Sequence, residues 1–224
     1  PDENSPNAST NYYVKGALAA LCLDLHLRRH SSVTLDAVMQ ALWQRYGRSG
    51  IGVPEGGLEQ AAAEVSGLDL RALFDRLLRS TEELPLTELL ADFGVQAELR
   101  VCTSPIDDCG RTHARGSMPW VGLRMRPGET TLSQVLDDSP AQAAGLSAGD
   151  QLIAIDGLRL TGPQWPRRLE ALVPEQPVTL HFFRGDELFS ATLVPRSAPL
   201  DTWTLTVTEA SGEAAKRRRL WLGV

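Results

Sequence analysis

The spacing of apolar residues changes at Gly94, from a helical period of three to four to an alternation of two, so this chain must fold as two differently built parts. Its 224 residues are enough for two separate cores. Before Gly94, Val14, Leu18, Leu21 and Leu25 form one helical seam, and Leu23 and Leu27 carry apolar surface to another face, as in a helix enclosed by neighbours. A second helix follows Thr34, a candidate N-cap, with Asp36 in its first turn and Leu35, Val38, Met39, Leu42, Trp43 and Tyr46 as its apolar stripe. Leu58 to Val65 predicts a shorter helix stopped at Ser66 and Gly67; Leu70, Leu73, Phe74, Leu77 and Leu78 predict another, and Leu86 to Phe93 a last one between Pro85 and Gly94. After Gly94, WVGLRMR, TLSQVL, QLIAID, VTLHFF and LFSATLV read as strands, RGDE at Arg184 to Glu187 as a hairpin turn, and SPAQAAG and Pro163 to Val173 as two helices. The expected fold class is a multidomain protein, an all-α helical bundle followed by a β-rich domain with two helices.

Composition narrows the function classes. A formal charge of −6 argues against a nucleic-acid partner, and KRRR at Lys216 to Arg219 is expected to be solvated surface. No apolar run reaches the length of a membrane span. Of three cysteines, Cys22 falls inside the apolar helix as a packed thiol, while Cys102 and Cys109 could close a small loop or supply two metal ligands; with no second CxxC or histidine pair to complete a zinc site, the favoured expectation is reduced and unliganded. His26 and His30 share a helical face at the spacing of HExxH, but Leu27 stands where that motif needs its glutamate and Arg28 and Arg29 flank the pair. They are expected to be helix-end histidines that complement the dipole, with no metal held by this chain. The chain starts at Pro1 without methionine, and is expected to be a fragment.

The order WVGL, then SPAQAAGLSAGDQLIAIDG, then a helix and a closing hairpin resembles the PDZ domains of bacterial proteases over roughly residues 119–195. The resemblance implies a sheet edge beside a helix that takes an extended peptide or a protein C-terminus by strand addition. On it, the backbone N–H groups of Val121, Gly122 and Leu123 would meet a terminal carboxylate, and Leu123, Met125, Leu169 and Leu172 would line an apolar pocket. Alternatively the protein's own chain covers that edge. The terminal RLWLGV is either a ligand for the groove or a packed strand.

DENSPN, YYVKGAL, SVTLDAVMQALWQRYG, VSGLDL and ELPLTELLADFG, in this order and followed by the PDZ-like segment, resemble the C-terminal half of the glycyl aminopeptidase family of zinc metallopeptidases. In that family a thermolysin-like lobe carries the zinc, and a helical lobe closes the cleft. The resemblance places Tyr13, the tyrosine of Tyr13-Val14-Lys15-Gly16, at the substrate carbonyl, where a neutral phenol would stabilise the oxyanion. Tyr12 is a weaker candidate, its side chain about 100° round the helix. By spacing alone Tyr13 is an amphipathic residue at a helix start, its hydroxyl in water. Asp24 shares its face but lies about 16 Å along the axis.

This implies a division into a helical lobe (1–95), a connecting strand and loop (96–118), a PDZ domain (119–197) and a C-terminal strand and tail (198–224). It also implies a zinc aminopeptidase acting on small N-terminal residues, with peptides and a missing N-terminal catalytic lobe as partners and the zinc ligands outside this chain. Without HExxH the chain alone is expected to be inactive. The rival is a non-catalytic peptide-binding or protein-interaction module; a purely structural contact at the PDZ edge is a third. The expected compartment is the cytoplasm, with the periplasm as alternative.

Overall fold

The computed structural model describes residues 2, 4–8, 11–101, 119–208 and 212–223. Cys102, Cys109, His113, the loop 103–117 and Val224 lie outside the described residues. The chain divides into a helical unit, residues 11–98 and 205–224, and a β unit, residues 1–10 and 99–204. Helices are joined by several small antiparallel sheets. Helix α1 (Ser5–Ala8) belongs to the β unit.

The helical unit contains α2 (Tyr12–His30), α3 (Leu35–Arg45), α4 (Gly57–Ser66), α5 (Arg71–Phe74), which runs on into a wide π turn (Asp75–Arg79), and α6 (Leu86–Ala91). Asn11 starts α2, its side chain accepting from the N–H groups of Tyr13 at 3.0 Å and Val14 at 3.3 Å, a cap worth about 1 kcal/mol. At the other end Ser31 closes on the carbonyl of Leu27 through both its N–H and its hydroxyl, and Arg28 and Arg29 place positive charge at the negative end of the dipole. Cys22, Leu25 and Leu27 of α2, Val38 of α3, Ala61 and Ala62 of α4, and Phe93 are wholly buried in one core. Each buried leucine contributes about 1.5–3 kcal/mol by leaving water.

Four expectations change here. Thr34 occupies the cap position of α3, but its side chain makes no cap bond. Asp24 does so from α2, accepting from the N–H of Leu35 at 2.9 Å while its other oxygen pairs with Arg28 Nε at 2.8 Å. Met39, Trp43 and Leu78, on the predicted apolar stripes, are exposed, because those stripes are wider than the faces the neighbouring helices cover. The described part of RLWLGV is neither strand nor extended ligand: Arg219 to Leu222 lie in α9 (Gly212–Leu222), and Trp221 packs edge-on to Phe93 at 5.6 Å. KRRR is not simply solvated, since Arg218 donates to the carbonyls of Phe93 at 3.1 Å and Gly94 at 3.0 Å, just past the last turn of α6.

In the β unit, β2 (Pro119–Trp120) pairs with β9 (Arg196–Ser197), and β3 (Leu123–Met125) with β4 (Leu132–Val135). Helix α7 (Pro140–Ala143) leads to a four-stranded sheet of β5 (Gln151–Ile155), β6 (Leu158–Arg159), β7 (Val178–Arg184) and β8 (Glu187–Leu193), in the order β6-β5-β7-β8, with α8 (Trp165–Glu170) between β6 and β7 in sequence. The expected strand WVGLRMR is thus two strands, broken at Val121 and Gly122. Val178, Leu180 and Phe182 alternate into the core, and the β7–β8 hairpin closes through Gly185 and Asp186 with Arg184 opposite Glu187, as the RGDE signal predicts. Arg184 then reaches Asp150, which is buried, through two bonds of 2.8 Å. That pair ties the turn before β5 to the hairpin.

Strand β1 (Val95–Val101) pairs with β10 (Leu200–Val207), and the division between the units falls within both strands. Residues 1–10, grouped by sequence with the helical lobe, belong instead to the β unit, because the Asn7 side chain bonds to Val135 and Asp137. Among the described residues no helix is long and apolar enough to cross a membrane.

Candidate functional site

Tyr13 lies on the first turn of α2, where every residue from Tyr12 to Leu18 except Lys15 is exposed and burial begins only at Ala19. Tyr13 itself is 73% exposed. Its ring meets that of Tyr12 at 4.3 Å and 34°, so two phenols that helical geometry would splay apart fold together. A hydrogen bond to the Tyr13 side chain, with a smaller contribution from burial, raises the pKa of Tyr12 and holds its proton. A side chain at Gly16 would meet nothing within 4 Å, so the face one turn on is open. Asp24, which shares that face in sequence, is taken up by Leu35 and Arg28.

His26 and His30 lie ring to ring at 4.4 Å. Burial, and then the charge of His30, lower the pKa of His26, which favours its neutral form. Among the described residues no three histidine, cysteine or carboxylate side chains converge as a metal site. Burial raises the Cys22 thiol to about 11, which keeps it protonated and unreactive.

The second candidate is the break between β2 and β3. The Val121 carbonyl accepts from Ala141 N–H at 2.9 Å and the Gly122 carbonyl from Leu136 N–H at 2.8 Å. In a trans peptide the N–H points opposite the carbonyl, so the N–H groups of Gly122 and Leu123 are directed away from those partners. Gly122 has φ of 70°, and a Cβ there would collide with Cβ of Ser139, so both conformation and space demand glycine. Among the described residues β3 pairs with β4 alone, and no strand covers its other edge. Leu123 and Met125 of β3, with Leu169 and Leu172 at the end of α8, are half-buried and pack on the same core, as does Val135. Val121 is buried. The sequence singled out neither Trp165, half-buried on that core at the start of α8, nor Ser139, whose contact with Gly122 connects two loops; the Ser-Pro cap signature ahead of α7 marks Ser139 as a cap only.

No protein-family model matches the chain. It is similar in structure to an aminopeptidase N family protein from Idiomarina loihiensis, with a TM-score of 0.86 and 34% identity over 99% of this chain and 38% of that one. It is also 33% identical over 78 residues to a protein of Clostridium perfringens provisionally named a zinc metalloprotease, a match covering 34% of this chain and 23% of that protein. The chain therefore spans well under half the length of either relative.

Proposed function

We propose that this chain is the C-terminal part of a zinc-dependent aminopeptidase of the glycyl aminopeptidase type, acting on peptides with small N-terminal residues, and that its β unit is a PDZ-like peptide-binding domain. The observation that carries the reading is the bare first half of α2: a phenol at the mouth of two uncovered apolar turns, in a chain that matches an aminopeptidase N family protein along 99% of its own length and 38% of that protein's. Tyr13 donates its hydroxyl to the oxygen of the scissile carbonyl as negative charge develops there. The side chains described here do not fit a zinc ion, since His26 and His30 have no third ligand. The metal ligands and the nucleophile are assigned to the remainder of the polypeptide, and no step is derived through them.

The open edge of β3 supports a second, non-catalytic reading, in which the β unit recruits peptides or protein C-termini and the helical unit is a stand. The two separate in one experiment. In the full-length polypeptide, Tyr13→Phe lowers kcat for glycyl-arylamide hydrolysis by about 10²–10³-fold with KM little changed. Unaltered kcat removes Tyr13 from the chemistry; absence of hydrolysis by the unaltered protein favours the recruiting module.

A further inference from the structure

We propose that Asn7 is a positioning residue for the peptide-binding loop at Val121–Leu123, which it holds from the far side of β4; this rests on the reading of that loop as a peptide site. The side-chain amide of Asn7 bonds three neighbours. Nδ2 donates to the Val135 carbonyl at 2.9 Å and to Asn4 Oδ1 at 3.1 Å, and Oδ1 accepts from the N–H of Asp137 at 3.0 Å. The orientation is unambiguous, because a flipped amide would set N–H against N–H and oxygen against oxygen. Asn7 thus occupies the place of a partner strand, bonding to residues two apart on one edge.

The other side of that backbone faces the loop. The peptide unit between Val135 and Leu136 offers its carbonyl to Asn7 and its N–H to the Gly122 carbonyl, 2.8 Å away. One rigid plane therefore carries a bond to Asn7 at one end and a bond to the loop at the other, and each strengthens the other by polarisation. The corner that follows is held as well. Asp138 sits at φ of 56°, its N–H on Gln142 Oε1 at 2.9 Å and its carbonyl on Arg196 at 3.0 Å, and Ser139 then abuts Gly122. Asn7 is bound to the one edge of this corner that no strand covers among the described residues. It is brought there by a local turn in which Asp2 accepts from the N–H of Asn4 at 3.1 Å and from the Ser5 hydroxyl at 3.0 Å.

The test compares Asn7→Ala and Asn7→Asp with the unaltered chain. Three readouts are taken: affinity for a peptide with an apolar C-terminus, amide exchange at Leu136, and the amide shift of Gly122. Asn7→Ala weakens the peptide by about five- to twentyfold, as loss of one or two net hydrogen bonds predicts, and speeds exchange at Leu136. Asn7→Asp keeps the acceptor for Asp137 but sets an oxygen against the Val135 carbonyl, so it binds no better than Asn7→Ala. Wild-type affinity and exchange in Asn7→Ala overturn the proposal. So does faster exchange spread over the whole β unit, which marks Asn7 as a general brace. If the unaltered chain binds no such peptide, the groove reading fails, and the Leu136 and Gly122 amides still decide whether Asn7 holds the loop.

Discussion

In the helical unit the candidate group is one phenol on two bare turns, whereas in the β unit it is a run of backbone whose carbonyls are already spoken for by Ala141 and Leu136. On the proposed reading the first is half of a site. A hydroxyl in water stabilises nothing until a second surface excludes that water and supplies the reacting atoms. The second, on the same proposal, needs nothing outside its own unit, because peptide planes fixed on one side present donors on the other. A side-chain substitution should therefore silence Tyr13 without touching its fold, but can reach the carboxylate-binding backbone proposed for the β unit only by bending it.

The largest break in that contrast comes from Gly122→Val. A positive φ and the collision with Ser139 together cost about 3 kcal/mol, and on the proposed peptide-binding reading the displaced loop binds peptide more weakly. Urea denaturation and peptide titration measure the two effects, and a variant that keeps both properties shows that the loop is not built as described. Next in size, Arg184→Ala leaves Asp150, among the described residues, with only the Ser147 N–H at 2.8 Å. Because Arg184 is 44% exposed, solvent screens part of the pair, and we expect a loss of about 1–3 kcal/mol, read as a shift of the urea midpoint.

The smallest effect sharpens the helical side. The pKa of His26 is lowered in the fold, so the unfolded chain binds more protons between that value and the ordinary histidine value of about 6.5. The stability it contributes is whole above that ordinary value and is lost as pH falls through the folded one. Denaturation midpoints between pH 7.5 and 5 should fall less steeply in His26→Gln than in the parent, and parallel slopes would show that His26 does not carry this dependence.

Local signals were legible. Gly67 stops α4, the Arg184 to Glu187 hairpin closes as its residues demand, and Cys22 is buried where periodicity puts it. Periodicity gives the direction of a face but not the width its neighbours cover, which is why Met39 and Trp43 read as core and stand in solvent. Bonds between distant positions left no local trace. Asp24 outcompetes Thr34 as a cap from 11 residues away, and Asn7 joins the β unit across 128. At the candidate sites Gly122 was named through the resemblance, for its place beside a ligand, whereas the group that crowds it is Ser139, hidden behind its role as a cap.

The helical unit is interrupted in sequence, resuming at residue 205 after the β unit is complete. A chain emerging from the ribosome therefore makes α1 and then α2 to α6, completes the β unit next, and only afterwards makes α9, whose Trp221 packs on Phe93. For all that time the bundle waits with one wall absent, and the carbonyls after α6 go without Arg218. The order of synthesis thus makes the last helix the step that finishes the earliest core.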